Sequence, residues 1–542
     1  MTRRSTHGWF RNPVLPGSHP DPSICRVGAD YYLVTSTFEY FPGLPVHHSE
    51  DLVHWRLVGH VLDRPDQLDL DGVRASGGLY APTIRHHEGV FYVVCTLVDG
   101  TRTAGNFVVT AADPAGKWSD PVWLPQAEGF DPSLLFDADG SAWYCAAKQL
   151  DEAGHTAVWV QRFDTSQLAL VGEQTVVWEG ALRGARWSEA PHIYRVGDWY
   201  YLLTAEGGTS MEHAVVVARS AQITGPYVGC ERNPVLTARH LGPEAPIVAT
   251  GHADLVETPD GEWWAVLLGV RDGERGLLGR ETFLAPLTWD DGWPVFCPGV
   301  GHVRLAERRP SVDDVRWPAQ PRCDSFDDTA LAPDWIFTRT PRQNWWSLTE
   351  RPGWLRLRAR PESITDVANP SFVCRRVSAR AFAAFAALDF TPTTDDETAG
   401  LAMVHSPDFQ LRLEIAGVED RTARVVRRVG GADEVVGSTT VTPGLLRLGV
   451  ECHGADAEFR VNDGGGWRIV ARCDVGALSY RSAGGFFGVV IGMFASSNGK
   501  RGSAVADFDW FEFDDLHGGE LSPPRRDADA YPESINPVRE LS

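Results

Sequence analysis

Five stretches of the chain repeat one pattern: a small or acidic residue, usually Pro, a small polar residue and an aliphatic one, then Gly or Asp ahead of paired aromatics. They open at Asp21-Pro22-Ser23-Ile24 with Tyr31-Tyr32, Ala81-Pro82-Thr83-Ile84 with Phe91-Tyr92, and Asp131-Pro132-Ser133-Leu134 with Trp143-Tyr144. Two more open at Ala190-Pro191-His192-Ile193 with Trp199-Tyr200-Tyr201 and at His252-Ala253-Asp254-Leu255 with Trp263-Trp264. The openings lie 60, 50, 59 and 62 residues apart. Units of that length, each holding strand, turn and strand signals, match four-stranded blades, and five of them close a β-propeller around an axial channel. The fold class that follows is all-β. A content of 54 Gly, 36 Pro and 20 Trp against 4 Met agrees with short strands cut by turns. One Ala-rich stretch, residues 378–388, has helical propensity but sits among alternating strands, and its state stays open.

The first strand of a blade lines the channel, so equivalent positions meet in space although they are far apart in sequence. Asp21 and Asp131 hold the opening position in blades 1 and 3. In blade 4 the acid is displaced by one, as Glu189 in Trp187-Ser188-Glu189-Ala190-Pro191-His192. Three carboxyls would then share one pocket. Carboxylates crowded in a low-dielectric cleft raise one another's pKa, so one can stay protonated while another stays ionised. Glycoside hydrolysis needs that division: one group protonates the leaving oxygen and a second activates water. Any single acid among the chain's 72 is by default a solvated surface charge, and Asp-Pro is a common turn opener. Equivalent placement in the repeat sets these three apart.

The strings Asn12-Pro13-Val14-Leu15, His19-Pro20-Asp21-Pro22-Ser23 and Thr35-Ser36-Thr37-Phe38-Glu39-Tyr40-Phe41-Pro42-Gly43 resemble the opening of glycoside hydrolase family 43 β-xylosidases. Further matching strings are Ser76-Gly77-Gly78, Gly129-Phe130-Asp131, Ala205-Glu206-Gly207-Gly208-Thr209 with His213, Gly251-His252-Ala253 and Leu278-Gly279-Arg280-Glu281-Thr282. The resemblance implies an inverting mechanism with Asp21 as general base, Glu189 as general acid, and Asp131 holding the acid in position and raising its pKa. It implies that Arg280 hydrogen-bonds sugar hydroxyls beside the base, the competing reading being a blade-edge ion pair. His252 stays open between a satisfied core histidine and a neighbour, through water, of a channel metal such as a structural calcium ion. No cofactor is required. Phe38 and Tyr80 match substrate-lining positions, since a pyranose presents C–H faces to flat side chains. The family usually has Trp where this chain has Tyr80, which puts the preferred sugar or leaving group in doubt.

Residues 1–303 are read as the propeller and 304–322, rich in Arg, Pro and Asp, as a linker. From Asp324-Ser325-Phe326-Asp327 onward the chain resembles the C-terminal β-sandwich of the same xylosidases, a concanavalin-like jelly roll assigned to residues 323–516. Leu446, Leu448, Val450 and Cys452 alternate with Arg447, Gly449, Glu451 and His453, which buries one face and solvates the other. In related enzymes a sandwich loop inserts an aromatic residue into the propeller pocket; Gly484-Gly485-Phe486-Phe487 matches it, with Phe487 the candidate and plain core packing the alternative. Residues 517–542 read as a flexible tail.

A formal charge of −22 disfavours nucleic acid and anionic membrane surfaces as partners. No apolar stretch reaches the roughly 20 residues that span a bilayer. The N-terminus shows no secretion signal, and nine scattered cysteines fit no complete disulfide framework, so a cytoplasmic location is expected. The expected activity is inverting, exo-acting hydrolysis that releases terminal pentose, foremost xylose from β-1,4-xylo-oligosaccharides, by a homo-oligomer, dimer or tetramer. The alternatives are an α-L-arabinofuranosidase, a retaining five-bladed fructosidase and a non-catalytic sugar-binding propeller.

Overall fold

A computed structural model describes residues 8–271 and 276–516. Each repeat unit folds as an antiparallel sheet whose first two strands carry the repeat's opening and its aromatics. Blade 1 is built from Ser23–Val27, Asp30–Val34, Gly43–Ser49 and Arg56–Leu62, and blade 2 from Gly78–His87, Val90–Val98, Gly105–Ala111 and Val122–Trp123. Blade 3 runs from Phe130–Phe136 to Ala169–Trp178, blade 4 opens with Glu189–Val196, and blade 5 opens with Ile247–Glu257. The first strands pack side by side in ring order, blade 5 returning to blade 1.

The ring is closed by a strap. Trp9–Arg11 pairs with Ala306–Arg308, and Asn12 exchanges hydrogen bonds with Leu284, its Nδ2 donating at 2.9 Å and its Oδ1 accepting at 2.9 Å. Val14 N–H then donates to Thr282 and His19 N–H to the Arg280 carbonyl. The propeller therefore holds chain to Arg308, a few residues past the 303 expected. Much of the linker is moored to blade 1: Arg309 bonds Asp51 at 2.7 Å, and the Trp317 indole donates to the His54 carbonyl.

The second domain stacks two antiparallel sheets. The strand Leu446–His453 buries Leu448, Val450 and Cys452 and exposes Arg447 and His453, as its alternation dictates. The Ala-rich stretch is a strand, Ala381–Phe390, paired with Leu446–His453 on one side and Val505–Asp515 on the other. Tertiary pairing overrides its helical propensity, because strands on both sides take up its backbone hydrogen bonds. The domains share structure as well as surface: Tyr40–Phe41 of the propeller pairs with Phe337–Thr338 of the sandwich, and one apolar core runs from Val46, Leu62 and Leu79 into Phe337, Trp345 and Leu448. The tail expected at 517–542 lies outside the described residues.

Candidate active site

All five repeat openings share one backbone anomaly. Asp21, Ala81, Asp131, Ala190 and His252 have φ of 55°, 34°, 53°, 51° and 49°. Left-handed backbone at a non-glycine residue is uncommon and costs roughly 1 kcal/mol or more. In blades 2 to 5 it accompanies a break in the first-strand register, between Tyr80 and Thr83, Phe130 and Ser133, Glu189 and His192, and Gly251 and Asp254. A bulge re-aims side chains where a strand starts, and here five bulged or left-handed turns point at one axis. The acid of blade 4 precedes its turn, which is why Glu189 looks displaced in the repeat yet reaches the same cleft. The Gly251 opening is tight as well: a Cβ there would lie 2.5 Å from the His213 ring, so only glycine fits.

These turns bring Asp21, Asp131, Glu189, His252, Arg280, Phe38 and Tyr80 around one cleft of about 550 Å³. Asp21 is buried and fully engaged. Its Oδ1 accepts from Arg280 Nη1 at 3.0 Å and lies 3.6 Å from His252 Nδ1, and its Oδ2 accepts from Ser36 Oγ at 2.6 Å. Burial alone would raise its pKa, but the charge of Arg280, with His252 and the Ser36 hydroxyl, brings it below the usual carboxylate range. Asp131 accepts the Ala190 N–H at 3.1 Å, and burial together with the charge of Asp21 pushes it up. Glu189 is raised far above its ordinary value by burial and then by Asp131 and Asp21. Of the last two, Asp131 has a backbone donor that favours its anion, and Glu189 stands the further above its ordinary range.

Arg280 joins three parts of the cleft. Besides Asp21 it donates to Thr209 Oγ1 at 3.0 Å and to the Phe486 carbonyl at 3.1 Å, with its guanidinium 5.1 Å from the Phe486 ring centroid. Phe486 packs near Phe38 and Tyr80, with ring centroids 5.8 Å apart in each case, and its N–H donates to Ser76 Oγ at 2.8 Å. Ser76 N–H in turn donates to the buried Glu39, whose pKa desolvation lifts to about 7. The Tyr80 hydroxyl donates to the Ser76 carbonyl. The sandwich loop thus forms a wall of the cleft, but through Phe486. Phe487, the residue expected there, is absent from the lining. It is 2% exposed and stacks on Tyr40 at 4.4 Å. The two neighbours of this loop thus point opposite ways, Phe486 to the cleft and Phe487 to the core.

Trp187, Arg74 and Gln149 also line the cleft, and the repeat does not flag them. Trp187 sits two residues before Glu189 with φ 53°, its ring lying against Gly154 and Gly208. The two glycines that leave room for it were the only sequence signal.

Below the cleft, Asp254 is completely buried. It accepts from Ser23, the Ile24 and Leu255 N–H groups, Tyr194, and both terminal nitrogens of Arg85 at 2.8 and 3.1 Å. The channel floor therefore has its cation in Arg85 and offers a calcium ion no free carboxylate. His252 Nδ1 lies 3.6 Å from Asp21 Oδ1, which leaves Nε2 as the ring nitrogen for a channel metal held through water.

Comparison with known proteins places this geometry. Residues 10–294 match the model of glycosyl hydrolases family 43, and residues 323–514 match the beta xylosidase C-terminal concanavalin A-like domain. The chain belongs to glycoside hydrolase family 43. A xylosidase/arabinosidase of Butyrivibrio fibrisolvens is 39% identical to this family 43 hydrolase over 517 residues, covering 93% of this chain and 99% of its own. A non-reducing end alpha-L-arabinofuranosidase of Bacteroides ovatus is 43% identical over 517 residues, covering 93% and 94%. The solved GH43B structure from the Bacteroides ovatus xyloglucan locus superposes with a TM-score of 0.89 at 42% identity, covering 94% of this chain and all of that one. The protein is a family 43 glycoside hydrolase with a propeller followed by a concanavalin-like sandwich. Among the described residues no helix is long and apolar enough to cross a membrane.

Proposed function

We propose that the enzyme removes terminal pentose from short oligosaccharides with inversion, xylose from β-1,4-xylo-oligosaccharides foremost. The observation that carries the reading is the pair of opposed carboxyls in one cleft: Asp21, held ionised by Arg280, and Glu189, held protonated by burial and by its acidic neighbours. In this mechanism Glu189 donates its proton to the leaving glycosidic oxygen as the C–O bond breaks. Asp21 takes a proton from the water that attacks the anomeric carbon from the opposite face. Asp131 keeps the Glu189 proton in place by its negative charge. Inversion requires room for that water, so the Asp21 and Glu189 carboxyls are expected about 6.5 to 9.5 Å apart when sugar is bound. Phe38, Tyr80 and Phe486 pack on the sugar's C–H faces, and Arg280 and His252 bond its hydroxyls. The Phe486 wall supports exo action, because a chain cannot run through a cleft closed by another domain.

α-L-Arabinofuranoside hydrolysis is the second reading. It is favoured by Tyr80 in place of Trp and by the two relatives named for arabinose-releasing activity. Parallel assays on p-nitrophenyl β-D-xylopyranoside and p-nitrophenyl α-L-arabinofuranoside rank the two, and proton NMR of the first-formed anomer tests inversion. Retention of configuration would overturn the mechanism. Nine unpaired cysteines, eight of them buried, support action in a reducing, cytoplasmic compartment. Self-association as a dimer or tetramer belongs to the same proposal; exposed Trp467 and Ile469 on the sandwich support it, and sedimentation velocity tests it.

A further inference from the structure

Away from the cleft, the seam between blade 1 and the sandwich gathers polar nitrogens. Arg376 ends the sandwich strand Ser371–Arg376 and is nine-tenths buried. Its Nε donates to the Ser18 carbonyl at 2.9 Å, its guanidinium lies 5.4 Å from the Phe487 ring centroid, and its Nη2 has no partner. Asp334, the acid whose charge it feels, is taken by Arg375 at 2.8 Å. Among the described residues no carboxylate pairs with Arg376.

Three histidines lie near enough to this cation to feel its charge. His19 comes from the strap that closes the ring, and the buried His47 and His60 come from blade 1 strands Gly43–Ser49 and Arg56–Leu62. The His19 and His47 rings meet edge to face with centroids 5.1 Å apart. His19 Nδ1, His47 Nδ1 and His60 Nε2 are buried without a hydrogen-bond partner. Burial first, and then the charge of Arg376, hold all three imidazoles low, His47 and His60 at about 3, so they are neutral at neutral pH. A neutral imidazole carries one N–H that either ring nitrogen can bear.

Each neutral imidazole brings one donor and one acceptor, while Arg376 adds an unpartnered donor and a positive charge. Burying a charge without a counter-charge is strongly unfavourable, and each orphaned buried polar group costs roughly 1–3 kcal/mol. Water would satisfy the nitrogens but leave the charge uncompensated; a small inorganic anion would do both. We propose that Arg376, His19, His47 and His60 bind a halide ion, which fastens the sandwich to blade 1. The position matters to the enzyme. Ser18, whose carbonyl takes Arg376, also accepts the Gly488 N–H at 3.0 Å, two residues past Phe486.

The test uses the full chain, crystallised from halide-free acetate, soaked in sodium bromide and measured at the bromine edge. An anomalous peak within hydrogen-bond reach of Arg376 Nη2 and at least one of the histidines is expected, and water alone at that place overturns the proposal. In solution, the unfolding midpoint should be several degrees higher in sodium chloride than in sodium gluconate of equal ionic strength. Arg376→Met and His60→Phe should remove that difference. Equal midpoints for the unaltered protein in the two salts, despite a bromide peak, would overturn the fastening role. The bromide measurement stands even where a variant does not fold.

Discussion

In the propeller, residues at the start of the first strands accept left-handed backbone and turn carboxylates and imidazoles toward the axis. In the sandwich, strands such as Leu446–His453 keep regular alternation, bury leucine and valine, and send one loop to the cleft. The contrast separates two sources of function. The ring supplies reacting groups whose positions are repeated five times and fixed by closure, and the sandwich supplies a wall held by single hydrogen bonds such as Phe486 N–H to Ser76. Chemistry should therefore be sensitive to the ring's side chains, and binding and stability to the sandwich's.

The sharpest way to break this division is Asp21→Asn or Glu189→Gln. Each should lower turnover by roughly 10² to 10⁴-fold with the fold retained, measured by steady-state assay and circular dichroism. Glu189→Gln should lose less on an aryl pentoside, whose leaving group needs little protonation, than on xylobiose; equal losses would remove Glu189 as the acid. Next in size, Arg280→Met should lower kcat/KM by about 10²-fold. It should also move the acidic limb of the pH–rate profile upward, because the cation that depresses Asp21 is gone. The unaltered enzyme should show a bell: activity falls at low pH as Asp21 gains a proton and at high pH as Glu189 loses one.

Across the domain boundary, Phe486→Ala should raise KM about 10-fold with kcat little changed. Phe487→Ala should instead destabilise the fold by about 3–5 kcal/mol, read by denaturant titration. Reversal of those two effects would return Phe487 to the cleft. The smallest effect is expected of Tyr80→Trp, roughly a few-fold change in the ratio of xyloside to arabinofuranoside activity, since only the size of a platform changes.

The ring and its three acids were legible because a repeat converts sequence position into spatial position: Asp21 and Asp131 fall at one place in the unit, and Glu189 one residue away. Phe486 was not legible as the cleft residue. Two identical neighbours in a loop carry no period that says which one faces the cleft, and the double glycine at Gly484 and Gly485 sets none. The Ala-rich strand Ala381–Phe390 was ambiguous for a related reason, since its state is decided by partners 58 or more residues away in sequence. Trp187 and Arg74 reach the cleft from loops, where no period exists to flag them.

The strap that joins Asn12 to Leu284 and Trp9 to Arg308 has a consequence in time. During synthesis those first residues must wait, unpaired, while some three hundred more emerge, and such long-range pairing is slow to form. Until the two ends meet, Asp21 and Arg280 remain strangers. Catalytic competence should therefore appear late and all at once, with the last turn of the ring.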